Sequence, residues 1–284
     1  MILRMPSAGK PSVMGIVNVT PDSFSDGGVF LSTERAIAHG RQLAADGAAI
    51  VDVGGESTRP GAQPVSASEE IQRVVPVIAA LAAEGISVSV DTSKAAVMSA
   101  AVAAGACCIN DVCALTQPDA LDTARTLGVP VCLMHMKGTP ETMQSSPRYQ
   151  DVVREVFQFL GDRIEACLEK GLSRDQLIVD PGFGFGKTQG HNLQLMSALP
   201  AFLKLGVPLM IGVSRKAFIR RLSAADSGPE LDQASAVMAV LAAERGARLL
   251  RVHDVKTTVR MLRLWSASTI DLGHTSSSEA IELR

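Results

Sequence analysis

Short apolar runs rich in Val and Ile recur along the chain at intervals of about 30 to 40 residues. Each run ends in a polar residue, and a loop of Gly, Pro and Ser residues leads from it into an amphipathic stretch with helical spacing. The runs are apolar almost throughout rather than alternating, which is typical of strands buried on both faces of a parallel sheet. The pattern therefore predicts a repeated strand–helix unit.

The repeat occurs eight times. The predicted strands are 13–18, 48–53, 87–91, 107–111, 131–135, 177–180, 209–213 and 249–253. The predicted helices are 33–45, 67–83, 94–104, 119–127, 151–170, 192–205, 231–244 and 256–267. Eight units in one chain predict a (β/α)₈ TIM barrel of the α/β class, in a single domain.

The alternative fold is a doubly wound open sheet. Two observations argue against it: no G-x-G-x-x-G follows the first strand, and no linker or change in composition divides the chain. We therefore expect a lead-in over 1–12, one barrel domain over 13–267 and a polar C-terminal tail over 268–284 that is disordered.

Composition limits the classes of function. With 284 residues, of which 46% are hydrophobic, the chain has enough apolar material for a large core. A net charge of −2 gives no basis for binding nucleic acid or an anionic membrane. No apolar run approaches the roughly 20 residues of a membrane span, and residues 1–10 lack the features of a signal peptide. Five cysteines without a C-x-x-C pair favour the reduced cytoplasm.

Polar residues end nearly every predicted strand, and in a barrel those ends open onto the face that holds the active site. The set is Asn18, Asp52, Asp91, Asn110, Asp111, His135, Asp180, Ser214, Arg215, Lys216, Arg251 and His253. Any single member could simply begin a loop or cap a helix. Their recurrence at strand after strand predicts a functional site instead.

The chemistry of this set indicates a ligand. Asp91, Asn110 and Asp180 offer acceptors that suit the N–H edge of a flat heterocycle. Arg251 and His253 are two residues apart on a strand, so they point to the same side and together with Lys216 suit an anion such as phosphate. The alternative is that Arg251 and His253 pair with Asp254 or with a neighbouring carboxylate.

Three loops at strand ends are rich in Gly, Pro and hydroxyl residues: the first loop (20–28), the second loop (54–61) and the third loop (180–187). We expect the first two to be flaps that order over a ligand, the alternative being plain connections. The third resembles a phosphate-binding P-loop, but Pro181 replaces the opening glycine and excludes that motif. Phe183 and Phe185 are expected to be apolar walls for a ring.

Evidence for a metal is limited to one residue. The five histidines are not at zinc spacings. A Mg²⁺ ion held by Asn18 and by phosphate oxygens of a ligand is favoured, because Mg²⁺ keeps few protein ligands. Ser214 lacks the G-x-S-x-G elbow, so a hydrolase triad is not indicated.

Taken together, the motifs resemble those of the dihydropteroate synthase family. They are MGIVNVTPDSFSDGG (14–28), DVGGESTRPG (52–61), SVDT (89–92), IND (109–111), MHM (134–136), DPGFGFGK (180–187), SRK (214–216) and RVHDV (251–255). The resemblance extends from about residue 13 to residue 267, nearly the whole chain. It implies a barrel, usually dimeric, that condenses 6-hydroxymethyl-7,8-dihydropterin pyrophosphate with 4-aminobenzoate to give 7,8-dihydropteroate and pyrophosphate.

The resemblance also implies roles for matched residues. Asp91, Asn110, Asp180 and Lys216 should hold the pterin. Arg251, His253 and Thr58 should hold the pyrophosphate, with Asn18 and Mg²⁺. The aminobenzoate site should be shaped by Phe24, Arg59, Pro60 and Lys216. Asp91, Lys216, Arg251 and His253 are the expected catalytic residues. Ala217 departs from the family, which often has a Ser or Thr there to contact the aminobenzoate carboxylate. We still expect sulfonamides to bind.

Two rival functions share part of this pattern. A pterin-binding methyltransferase domain would need the heterocycle ligands but not the second loop or the anion-binding residues. A pterin-binding paralogue without synthase activity is the other rival, and retention of all the matched motifs argues against it.

Overall fold

The computed structural model describes residues 11–20, 28–59 and 61–268. Phe24, Pro60, most of the lead-in and residues 269–284 of the tail therefore lie outside the described residues. No helix within the described ranges is long and apolar enough to cross a membrane.

Eight parallel strands form the centre of the molecule: β1 Ser12–Asn18, β2 Ile50–Gly54, β3 Val88–Asp91, β4 Cys108–Asp111, β5 Val131–Met134, β6 Leu177–Asp180, β7 Met210–Ile211 and β8 Leu249–Val252. Their order is β6-β5-β4-β3-β2-β1-β8-β7, and a bridge between Val179 and Leu209 joins the two ends of this row. The (β/α)₈ barrel is therefore confirmed, and the doubly wound alternative is wrong.

Ten α-helices surround the strands in the part of the chain that the structure describes: α1 Gly28–Ala45, α2 Ala67–Ala83, α3 Ala95–Ala103, α4 Ala120–Leu127, α5 Val152–Glu169, α6 Gln189–Ser197, α7 Leu199–Phe202, α8 Ala217–Ser223, α9 Gly228–Glu244 and α10 Val255–Ser268. Short 3₁₀ turns cover Arg174–Gln176 and Leu203–Leu205.

The structure differs from the predicted elements at three places. The helix expected over 192–205 is divided after Ser197, because Pro200 cannot donate to the preceding turn and its ring clashes with the carbonyl four residues earlier. Helix α8 follows the SRK motif directly and was not predicted. Strand β7 has only two residues instead of the five expected.

Apolar side chains fill the barrel interior on the side away from the carboxyl ends of the strands. Met14, Ile50, Cys108, Cys132, Ile178, Met210 and Leu249 belong to this buried cluster. Side chains on one face of a strand recur every second residue. Asp52, Asn110, Asp180 and Arg251 each lie two residues beyond a member of the cluster. Strand geometry therefore directs these four polar side chains into the same interior, one layer nearer the carboxyl ends of the strands.

Candidate active site

A cavity of about 820 Å³ opens at the carboxyl ends of the strands. Eight predicted site residues line it: Asn18, Thr58, Arg59, Asp91, Phe185, Lys216, Arg251 and His253. Asn110 and Asp180 are each only 3% exposed and lie beneath it, on β4 and β6. The structure thus brings together the predicted site residues that it describes.

Arg251 connects two aspartates across the barrel. Its Nε donates to Asp52 Oδ2 at 2.7 Å, and its Nη2 donates to Asp91 Oδ2 at 2.6 Å. Arg251 therefore pairs with neighbouring carboxylates, as one of the alternatives from the sequence had it, and not with Asp254. Asp254 instead accepts from the backbone N–H of Thr257 at the start of α10. Burial opposes the charge on Arg251, but Asp52 and Asp91 raise its pKa above the ordinary value.

Asp52 also fixes the orientation of Asn110. The Asn110 amide nitrogen donates to Asp52 Oδ2 at 3.0 Å. An ionised carboxylate can only accept, so the NH₂ end of the amide must face Asp52 and its oxygen is left for another donor. Asp52 is fully buried, and its Oδ1 has no hydrogen-bond partner. The sequence placed Asp52 among the strand ends but gave it no role.

Burial shifts the titration of the two carboxyl groups expected to meet the heterocycle. It raises the pKa of Asp91 to about 7, against the lowering effect of Arg251. It raises the pKa of Asp180 to about 6, although Asp180 Oδ1 accepts from the Gly182 N–H at 2.7 Å. A ligand that donates hydrogen bonds to these groups favours their ionised form.

Lys216 and Phe185 form one wall of the cavity. The Lys216 ammonium lies 4.0 Å from the centre of the Phe185 ring, within the range of a cation–π contact. Burial, reinforced by the charge of Arg251, lowers the pKa of Lys216 to about 8. The expectation that Phe183 is also a wall is wrong, because Phe183 is fully buried and stacks on Phe218 instead.

His253 is held by Ser214 on the neighbouring strand end. Its Nδ1 lies 3.0 Å from Ser214 Oγ, which also accepts from the His253 backbone N–H at 3.2 Å. Burial and the nearby cations, Arg215 first among them, lower the pKa of His253 to about 3. The imidazole is therefore neutral at pH 7, and Arg251 and Lys216 supply the positive charge.

Lys187 fixes the third loop, and the sequence did not predict this role. Its ammonium lies 2.9 Å from His135 Nδ1 and donates to the carbonyls of Gly182 at 2.8 Å and Phe185 at 3.0 Å. Gly182 has a φ of 71°, and a Cβ there would lie 1.9 Å from the His135 carbonyl oxygen. A lysine at the end of a glycine-rich run was the available signal, but the sequence was compared only with a phosphate-binding P-loop, which Pro181 excludes.

Asn18 ends β1 at the cavity wall and is half-buried. The described residues contain no group of three or more His, Cys, Asp or Glu side chains that could hold a metal ion. A single amide oxygen in the cavity lining fits a cation such as Mg²⁺, which keeps several waters and takes further ligands from substrate phosphates.

Known proteins are similar to this chain in sequence. The profile of the pterin binding enzyme family matches residues 14–253. The dihydropteroate synthase of Escherichia coli K12 is 48% identical over 260 residues, which cover 91% of this chain and 92% of that protein. The chain belongs to the dihydropteroate synthase family. It is a transferase of folate biosynthesis.

Solved structures of the family agree with the fold. Dihydropteroate synthase of Xanthomonas albilineans with 4-aminobenzoic acid is 52% identical, with a TM-score of 0.87 over 92% of this chain and 94% of that one. The same enzyme in complex with 7,8-dihydropteroate has a TM-score of 0.85 at 48% identity, covering 93% and 96%. The Yersinia pestis enzyme with a sulfonamide drug has a TM-score of 0.85 at 46% identity, covering 91% and 94%.

Proposed function

We propose that the cavity binds 6-hydroxymethyl-7,8-dihydropterin pyrophosphate beside 4-aminobenzoate and joins them, forming 7,8-dihydropteroate and releasing pyrophosphate. The observation that carries this proposal is a set of buried polar groups next to the cationic wall of the cavity. Arg251 links two members of this set, Asp52 and Asp91. Relatives solved with 4-aminobenzoic acid and with 7,8-dihydropteroate support both the substrate and the product.

The pterin occupies the deepest part of the cavity. Asp180 and Asp91 accept from the ring N–H groups, and the oriented amide of Asn110 supplies a third contact. Lys216 donates to the pterin from the wall, while Phe185 beside it packs on the ring. Because the aspartates are buried, each charge-assisted hydrogen bond to the ligand is shielded from water and correspondingly strong.

The pyrophosphate lies beside the pterin, where Arg251, His253 and Thr58 line the cavity. Arg251 carries the charge, whereas His253 is a neutral donor until the anion arrives. Asn18 would be the protein ligand of a Mg²⁺ ion bound to the pyrophosphate. When bound, this ion neutralises negative charge on the leaving group.

Residues 59 and 60 of the second loop, with Phe24 of the first, shape the aminobenzoate site. Arg59 lines the cavity, while Phe24 and Pro60 lie outside the described residues. Ala217 offers no hydroxyl, so the carboxylate of aminobenzoate is bound by Lys216 and by backbone N–H groups at the start of α8. Relatives with a sulfonamide support binding of the same drugs at this site.

The displacement is dissociative. The bond between the pterin methylene carbon and oxygen breaks first, and its electron pair leaves with pyrophosphate, whose growing charge Arg251 and His253 stabilise. The resulting cation is delocalised into the pterin ring and stabilised by the Asp91 carboxylate. The lone pair of the arylamine nitrogen then forms the new C–N bond, and the nitrogen loses one proton to water. No general base is required, because the arylamine is neutral at pH 7.

We also propose that the enzyme acts as a homodimer in the cytoplasm, as the resemblance to the family implies. Large apolar side chains exposed on neighbouring helices support an interface: Leu222 on α8 is 51% exposed and Val237 on α9 is 49% exposed. Sedimentation of the purified chain tests the dimer, and a monomer at micromolar concentration would contradict it.

Turnover with purified protein tests the proposed reaction. Pyrophosphate should be released only when the pterin pyrophosphate and 4-aminobenzoate are both present. A methyltransferase domain or a binding paralogue would release none, and release without aminobenzoate would also exclude the synthase reaction.

A further inference from the structure

Lys94 joins three separate segments beside the cavity. Its ammonium contacts the carboxylate oxygen Oε2 of Glu56 and lies 2.6 Å from Oε2 of Glu70. Glu56 belongs to the second loop, Glu70 to helix α2, and Lys94 to the segment between β3 and α3. A single cation therefore links the second loop to the carboxyl end of the neighbouring strand.

The energetics of this cluster favour a geometric role. Glu70 is 1% exposed and its Oε1 has no hydrogen-bond partner, whereas the side chains of Lys94 and Glu56 are 27% and 24% exposed. In partly buried ion pairs the cost of desolvation offsets much of the attraction. The three charged groups, one of which keeps an unpaired oxygen, therefore contribute little to the free energy of folding. Their main effect is to fix the position of the second loop.

Helix α2 supports the root of the second loop. Arg73 Nη1 donates to the Gly55 carbonyl at 2.7 Å. A Cβ at Gly55 would lie 2.8 Å from Val74 Cγ1 and 3.0 Å from Glu70 Cγ, so backbone and helix are in close contact. The loop therefore leaves β2 in a fixed position, and Glu56 is the next residue along.

The backbone of Lys94 is tied to the residues proposed to bind the pterin. Its N–H donates to Thr92 Oγ1 at 3.2 Å, and the Thr92 N–H donates to the Asn110 carbonyl at 3.0 Å. Thr92 directly follows Asp91. Lys94 is thus fixed relative to Asp91 and Asn110, while its ammonium holds Glu56 only two residues before Thr58.

We infer that Lys94 is a positioning residue that sets the second loop relative to the pterin pocket. Glu56, Thr58 and Arg59 line the cavity, whereas Lys94 is outside its lining and acts through Glu56. The inference rests on the proposed function, because it assumes that Thr58 serves the pyrophosphate and Arg59 the aminobenzoate.

The variant Lys94→Met removes the charge and keeps a side chain of similar length. We expect the KM for 4-aminobenzoate to rise about tenfold, because a displaced loop no longer orients Arg59. The Kd of 6-hydroxymethylpterin, which lacks the pyrophosphate, should stay within about twofold of the unaltered protein, because its ligands lie on strand ends and not on the loop. Amide hydrogen exchange across residues 55–59 should become faster.

Three further variants separate positioning from folding. Lys94→Arg should restore the KM, because arginine can reach both carboxylates with a cation. The double variant Lys94→Met with Glu70→Gln leaves no uncompensated buried charge and should keep the raised KM in a stably folded protein. Lys170→Met removes an exposed lysine that pairs with Asp122. It should change neither the KM for 4-aminobenzoate nor the Kd of 6-hydroxymethylpterin.

Two results would overturn the inference. One is a KM for 4-aminobenzoate that is unchanged in Lys94→Met, with unchanged exchange in the loop. The other is a loss of pterin affinity by the same factor as the rise in the KM for 4-aminobenzoate, which would indicate general damage to the protein. Failure of the proposed function looks different, because the unaltered chain would then form no product from the two substrates.

Discussion

Arg251 Nε lies 2.7 Å from Asp52 Oδ2, although the two residues are 199 positions apart in the chain. The same carboxylate oxygen accepts from Asn110, so one atom orients both a guanidinium of the proposed anion site and an amide of the proposed pterin site. The proposed pterin and pyrophosphate sites therefore meet at Asp52.

Replacing Asp52 tests this junction. Asp52→Ala leaves two buried donors without an acceptor, so pterin affinity measured by calorimetry should weaken by about 1–3 kcal/mol. Asp52→Asn keeps an acceptor oxygen, so its pterin affinity should be closer to that of the unaltered protein. Asp122→Asn, on the exposed side of α4, serves as the control. Equal affinities for the alanine variant and the unaltered protein would show that Asp52 orients nothing that the pterin needs.

Asp180 should contribute to pterin binding through its charge. Asp180→Asn replaces an acceptor by a donor where the ring N–H groups are expected, so the pterin should bind about 1–3 kcal/mol more weakly. The affinity for inorganic pyrophosphate, measured on the same protein, should not change. If calorimetry gives the same pterin affinity for both proteins, Asp180 does not bind the heterocycle.

The position of Ala217 predicts the response to inhibitors. Sulfonamides should compete with 4-aminobenzoate in a turnover assay, because Lys216 and the backbone at the start of α8 remain available for the shared anionic end. Ala217→Ser adds a hydroxyl and should lower the KM for aminobenzoate by a factor equivalent to about 0.5–1.5 kcal/mol. Inhibition that is not competitive with aminobenzoate would place the drug elsewhere.

The pH dependence should reflect Asp91 and Lys216. Burial raises the pKa of Asp91 to about 7, so the carboxylate needed for the pterin forms as pH rises through that value. Burial lowers the pKa of Lys216 to about 8, so its charge is present below pH 8 and is lost above it. A plot of kcat/KM for the pterin pyrophosphate should therefore be bell-shaped between these limits. In Lys216→Arg the alkaline fall should move to higher pH, and an unchanged fall would assign it to another group.

Local sequence patterns were sufficient to predict most of the barrel. Buried apolar runs define the strands, and the polar residues that end them are brought together because parallel strands share one carboxyl edge. What the sequence could not give were contacts between distant strands. The Arg251–Asp52 pair and the Lys187–His135 contact depend on how strand ends face one another across the barrel, which periodicity along the chain does not describe. The division of the helix near Pro200 could have been predicted from the proline itself, but the helical spacing of apolar residues continues across it and favoured a single helix.

The weakest part of the barrel wall lies between β6 and β7, where a single bridge from Val179 to Leu209 replaces the longer ladders found between the other strands. Asp180 ends β6 on one side of this seam, and Lys216 follows β7 on the other. A pterin held by both residues would span the seam and act as a cross-link. Opening fluctuations there should be damped by the ligand, so substrate binding would complete the wall of the enzyme that binds it.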